Sequence, residues 1–168
     1  MKRKKLSAVI VATLLIGIAH EAMADRQDIA GQFRATPVAK EVMPVFNQEG
    51  HILVMTESKG LNKEGNSGYM DGATVLSREI QDLALGNGPQ RGYTVMSKDG
   101  EETLTRFEGR VTTTLDEKGN PETTCKGTWE KVSGTGQYEG VRGSGTYTCQ
   151  VVPGTEDVVV DWRGTLNR

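Results

Sequence analysis

The sequence has little with which to do chemistry. Histidine occurs twice, as His20 and His51, and His20 falls inside an N-terminal leader. A zinc centre draws three or four ligands from histidine, cysteine and carboxylates, so no metal is expected. A Ser-His or Cys-His pair has equally little support. Ser144 sits in Gly143-Ser144-Gly145 within a hairpin, not at the strand-to-helix elbow of a hydrolase nucleophile. Cysteine also occurs twice, without C-x-x-C spacing, which leaves Cys125 and Cys149 to a structural pair or, alternatively, a reactive thiol. Basic residues are not in excess, and the net charge is −2. That argues against a nucleic-acid partner, which wants a basic face, and offers no polybasic handle to anionic membranes. Gly134-x-Gly136 does not make a phosphate loop, because a β-type arm follows where a helix N-terminus is needed. Residues 116–120 are acidic but lack calcium-loop spacing and read as a turn. No cofactor is expected.

Long apolar runs are also scarce, and the one present is N-terminal. Lys2, Arg3, Lys4 and Lys5 precede the apolar residues 6–19, and Ala22-Met23-Ala24 is a small-x-small cleavage site. Residues 1–24 therefore read as a secretory signal peptide cut after Ala24. The run of about 14 residues is short of the roughly 20 that span a bilayer. Residues 25–168 are expected to be one domain, periplasmic or extracellular, with no membrane insertion after cleavage. An oxidising compartment favours pairing of Cys125 with Cys149.

Glycine is plentiful, with 21 residues, and Gly134, Gly136, Gly140 and Gly143 lie between two β-type arms, residues 123–132 and 144–152. If the hairpin is symmetric about Gln137, Cys125 falls opposite Cys149, Gly127 opposite Tyr147 and Trp129 opposite Gly145. Side chains alternate across a strand, so these six share one face. Thr124, Lys126, Thr128 and Glu130 make the other face polar. A glycine opposite a large ring leaves room for it to lie over the neighbouring strand.

The rest of the chain keeps a strand-rich rhythm. Residues 25–34 are a first strand or a loose arm, punctuated by Thr36-Pro37. Residues 40–48 read as a strand that is near an edge or bulged, because Pro44 interrupts it. Residues 51–58 form a strand, 59–68 a polar rim loop and 69–76 another strand. Residues 77–85 read either as helical turns capped by Ser77 or as continued strand. Residues 91–97 form a strand that turns at 98–100 into the longest one, 101–115. There Phe107, Gly109, Val111, Thr113 and Leu115 form an inner row, and Arg106, Glu108 and Arg110 an outer one. Residues 157–166 are the last strand. Seven or eight such strands with turns between them suggest a sandwich or closed barrel, and closure removes exposed edges.

The run Gly134-Thr135-Gly136-Gln137-Tyr138-Glu139-Gly140-Val141-Arg142-Gly143 resembles the G-x-G-x-[FY]-x-G-A-x-G signature of the allene oxide cyclase and dirigent barrels. Val141 stands where alanine is usual. The resemblance covers this hairpin and, elsewhere, only the strand rhythm. It is nearest to small exported bacterial-type members. It implies an all-β fold, a single antiparallel closed barrel of about eight strands, lipocalin-like in architecture, with an interior cavity and often packed as a homotrimer. Gly134, Gly136, Gly140 and Gly143 are then a structural loop, and no catalytic residue carries over.

Aromatics make up only 5% of the chain. Tyr93, Phe107, Trp129, Tyr147 and Trp162 lie on or near inward rows, where they either anchor the core or line a pocket for a small apolar ligand. Glu57, Asp71, Glu108 and Asp161 lie on strands; one of them, desolvated in a barrel, would suit an isomerase- or cyclase-like enzyme. The stronger reading is solvated faces with cross-strand charge pairs. The expected function is a non-enzymatic exported barrel that binds a small apolar ligand or a protein partner. The alternatives are that enzyme, or a structural envelope protein with a filled barrel.

Overall fold

Alternating side chains and glycine turns build eight strands: β1 (Arg26–Pro44), β2 (His51–Glu64), β3 (Thr74–Ala84), β4 (Gly88–Lys98), β5 (Glu101–Leu115), β6 (Pro121–Gly134), β7 (Arg142–Val151) and β8 (Val158–Asn167). The computed structural model describes residues 26–65 and 67–167; the leader and its cleavage point lie outside them. Each strand pairs antiparallel with the next, and β1 pairs with β8, closing the sheet into a barrel. The chain is thus an all-β, up-and-down barrel, with no edge left between its first and last strands.

The hairpin has the register read from symmetry about Gln137: Cys125 opposes Cys149, Gly127 opposes Tyr147 and Trp129 opposes Gly145. Following partners around the barrel traces its interior rows, three of which carry the large rings. Phe33, Val160, Cys149, Cys125 and Val111 are successive neighbours. Trp162, Tyr147, Gly127, Gly109, Gln90 and Gln81 follow. Gly164, Gly145, Trp129, Phe107, Gly92 and Glu79 form the third. Outside, Arg78 meets Glu57 at 2.7 Å and Arg106 meets Glu130 at 2.8 Å, each across a strand pair.

Several expectations are corrected. The longest strand is β1, not β5, because Thr36-Pro37 does not end it; a register shift between Pro37 and Ala39 absorbs the proline. Residues 59–64 continue β2 and are not rim loop. Their polar character misleads because Asn62 points inward and is fully buried with partners. Residues 69–72 form turns, and β3 starts at Thr74. Residues 77–84 are strand and not helix, which resolves the ambiguity. Leu115, assigned to the inner row, is exposed at the end of β5.

One end of the barrel is closed by the β2–β3 connection and the loop after β6. Tyr69, Met70 and Val141 are buried there. Asn62 Nδ2 donates to the Met70 carbonyl at 2.9 Å, and Asn62 Oδ1 accepts from Trp162 Nε1 at 3.1 Å. One amide therefore joins cap to wall, and every bond it makes is shielded from water. Tyr138 packs edge-on against Tyr69, ring centres 5.5 Å apart.

Candidate functional site

The interior rings rest on glycines. An added Cβ at Gly145 would lie 2.7 Å from the Trp129 indole, and one at Gly164 2.5 Å from it. Tyr147 reaches over Gly127 and Gly109, Phe107 over Gly92, and Trp162 over Gly31. Each strand thus lends its neighbour the space of a missing side chain. The rings lie along the wall and do not fill the centre. What remains is a cavity of about 140 Å³.

Phe107, Trp129, Tyr147 and Trp162 line this cavity together with Cys125 and Cys149. Tyr93 does not. It is half exposed on the outer face, opposite Arg78 and Arg106. Its neighbour Gly92 is the inward residue, opposite Phe107.

The four expected carboxylates also lie elsewhere. Glu57 is paired with Arg78 on the outer surface. Asp71 is in an exposed turn, where its carbonyl accepts from Lys98 Nζ at 2.6 Å. Glu108 and Asp161 are exposed, and Asp161 accepts from Gln32 at 2.8 Å. All four have outward strand parity or a turn position. His51 begins β2 and binds Gln48 Oε1 at 2.6 Å and Asp82 Oδ1 at 2.5 Å, on the outside. Of the loop glycines, Gly136 and Gly140 adopt positive φ of 56° and 73°. Gly134 and Gly143 instead make room for Tyr138 and Leu166.

The cavity's polar groups were not singled out from sequence. Gln90 Nε2 donates to Tyr147 Oη at 2.9 Å, and Gln81 Nε2 donates to Glu79 Oε1 at 2.8 Å. Gln81 and Gln90 are 3.4 Å apart, which completes a file from Tyr147 to Glu79. Burial pushes the Glu79 carboxyl up to about 7, and the Gln81 bond only partly offsets it. Burial likewise takes Tyr147 up to about 12. At the capped end, Lys131 is 7% exposed and its Nζ is bonded to Tyr69 Oη. Burial alone brings its ammonium down to about 7. Burial raises Tyr69 to about 12, against a lowering by Thr103. A signal for Lys131 was available: it lies two residues beyond Trp129 on the same strand, and so on the same face. Glu79 required β3 to be read as a strand.

The disulfide Cys125–Cys149 spans directly opposed positions, with Cα atoms 4.8 Å apart and a separation of 24 residues. Closing that loop in the unfolded chain is worth about 3 kcal/mol. Reduction, or Cys125→Ser with Cys149→Ser, should lower the urea midpoint accordingly. An unmoved midpoint would show that β6 and β7 need no tether. The bond itself fits an oxidising compartment.

No protein-family model matches the chain, and no curated protein matches it in sequence. Among solved structures, its fold is similar to that of the pterocarpan synthase dirigent protein GePTS1, at a TM-score of 0.48 and 12% identity, over 86% of this chain and 85% of that one. The likeness is one of fold alone. The barrel itself stands on the pairing of β1 with β8.

Proposed function

We propose that the chain is an exported, non-enzymatic binding barrel that holds a compact, largely apolar molecule bearing one hydrogen-bonding group. The observation that carries this reading is the cavity of about 140 Å³, walled by Trp129, Tyr147, Trp162 and Phe107 and crossed by the Glu79–Tyr147 file. An apolar cavity of about 150 Å³ is enough to take up benzene. Apolar and aromatic walls with placed polar groups are the usual make-up of a small-molecule site: the walls supply affinity and the polar groups orientation. The basic, apolar and small-residue order of residues 1–24 supports export.

Glu79 favours a second reading, an isomerase- or cyclase-like enzyme. A carboxyl titrating near 7 can give and take a proton at neutral pH. That reading requires turnover that Glu79→Gln abolishes.

The test is native mass spectrometry of the exported protein before and after organic extraction, followed by titration with phenol and 2-naphthol. A small molecule lost on extraction is expected, as is a saturable change in emission from the two tryptophans, both of which line the cavity. A bare mass together with unchanged emission at millimolar probe would leave a filled structural barrel. The same spectrum reads monomer against the trimer implied by the resemblance.

A further inference from the structure

The inner face of β6 ends on an amine that the binding reading does not use. Lys131 follows Cys125, Gly127 and Trp129 on the inward row and lines the same cavity. Its strand partner across β5 is Thr105, whose own partner on β4 is Thr94. Ser77 and Ser58 continue that row on β3 and β2, and all four neutral side chains also line the cavity. The cap supplies Tyr69, whose hydroxyl oxygen accepts from the Lys131 Nζ. Tyr138 packs edge-on against Tyr69, and the buried Thr103 hydroxyl lies beside the Tyr69 hydroxyl and lowers its pKa. The described residues put no carboxylate within ion-pair distance of Lys131. Glu79 and Tyr147 are the other titratable groups in the cavity wall, bonded into the file from Gln81 to Gln90.

A lysine costs several kcal/mol to bury charged and unpaired. No ion pair among the described residues offsets that cost, and the bond to Tyr69 is to a neutral hydroxyl. The amine is best accommodated as the free base, whose lone pair is a nucleophile. The hydroxyl bonded to it stays protonated to high pH, because burial raises Tyr69 to about 12.

We propose that Lys131 captures a small apolar aldehyde or ketone inside the barrel as a reversible imine, with Tyr69 as its proton relay. This rests on the reading of the cavity as a ligand site. The Nζ lone pair forms a bond to the carbonyl carbon, and the carbonyl π pair moves onto oxygen. Tyr69 gives that oxygen a proton and recovers one from the nitrogen, which yields the carbinolamine. The C–O bond then breaks and the oxygen leaves as water, taking the second nitrogen proton and leaving C=N. One amine and one carbonyl become one imine and one water, with no oxidant or reductant. Hydrolysis by the same steps releases the carbonyl compound unchanged.

Chemistry also separates this lysine from its exposed neighbours. At pH 7 an ordinary lysine is neutral in fewer than about one molecule in a thousand. Lys131, brought down to about 7, is neutral in a large fraction. Low millimolar benzaldehyde should therefore find Lys131 before Lys40, Lys59, Lys98 or Lys126.

The experiment compares benzaldehyde with benzyl alcohol on the intact, oxidised protein at pH 7. Both should change tryptophan emission saturably, because both fit the walls. With cyanoborohydride present, benzaldehyde should leave one benzyl group, mapped by peptide mass to Lys131. Lys131→Met and Lys131→Arg should lose that adduct yet still bind benzyl alcohol. Tyr69→Phe should slow its formation at least tenfold without removing it. Benzyl alcohol binding with no adduct at Lys131, or with adducts spread over exposed lysines, overturns the imine and leaves the binding site standing. If neither probe binds, the cavity reading fails as well. The wild-type peptide map decides the matter even if a variant does not fold.

Discussion

Gly164→Ala should destabilise the protein by about 4 kcal/mol, at the severe end for adding one methyl group. The added Cβ would lie 2.5 Å from the Trp129 indole and 2.7 Å from Gly145 Cα, and it would run into the Ser144 carbonyl oxygen. Two of these neighbours are backbone atoms of a paired strand, so they cannot give way without breaking the β7–β8 ladder. The indole is tethered as well: its Nε1 donates to the Arg163 carbonyl at 3.2 Å, and it lies over Gly145 nearly as closely as over Gly164. The control is Gly119→Ala in the β5–β6 turn. Gly119 has a φ of 82° with nothing within 4 Å of a Cβ, so that change carries conformational strain of only about 1 kcal/mol. Urea unfolding at constant slope compares the two. Trp129→Phe in the Gly164→Ala background should recover part of the loss, because it removes the ring atoms that clash and leaves the backbone contacts. If Gly164→Ala stays within about 1 kcal/mol of the parent, the rings do not depend on the glycines beneath them.

The same ring-on-glycine logic explains what the sequence could disclose. In the hairpin, cysteine opposite cysteine and ring opposite glycine leave one sensible register, and β6 and β7 adopt it. Tyr93 faces outward and not inward because a nearby turn sets its parity. The turn at 98–100 pairs Lys98 with Glu101, which puts Tyr93 opposite Arg106 on the outer row. The carboxylates follow the solvated-face reading and not the enzymatic one: parity turns Glu57, Glu108 and Asp161 outward, and Asp71 lies in a turn. Glu79 was hidden by a different effect. On β3 the inward residues Ser77, Glu79 and Gln81 are polar, while Ile80 is exposed outside. A wall that faces a cavity inverts the usual alternation, so periodicity cannot mark it. Tyr69 was beyond reach in principle. It is buried by the folding of a connection over the barrel mouth, and no local pattern encodes that.

Stability should pass through a minimum near pH 7, which is unusual because most proteins are most stable between about pH 5 and 8. Two buried groups produce it from opposite sides. Glu79 has a folded value of about 7, above its ordinary 4.5, so the folded state binds its proton more tightly than the unfolded one. Its contribution is complete below pH 4.5 and is lost as pH rises through 7. Lys131 has a folded value of about 7, below its ordinary 10.5, so here the unfolded state holds the proton more tightly. Its penalty is full below pH 7 and disappears as pH rises towards 10.5. At about 1.4 kcal/mol per unit, the limits are roughly 3 kcal/mol on the acid side and 5 kcal/mol on the alkaline side. Below pH 4.5 the slope reverses again. Asp157, held low by Thr36 and Arg34, and Asp116, held low by Asn120, lose their bonds on protonation. Urea midpoints from pH 4.5 to 10 measure the profile. Glu79→Gln should flatten the acid limb and leave the alkaline one. Lys131→Met should flatten the alkaline limb and raise stability at pH 7, since an apolar chain of similar length fills the same place without a proton to lose. A level profile for the parent from pH 5 to 9 would mean that water reaches both groups. In that case the barrel interior would be solvated and would hold neither a neutral lysine nor an apolar ligand.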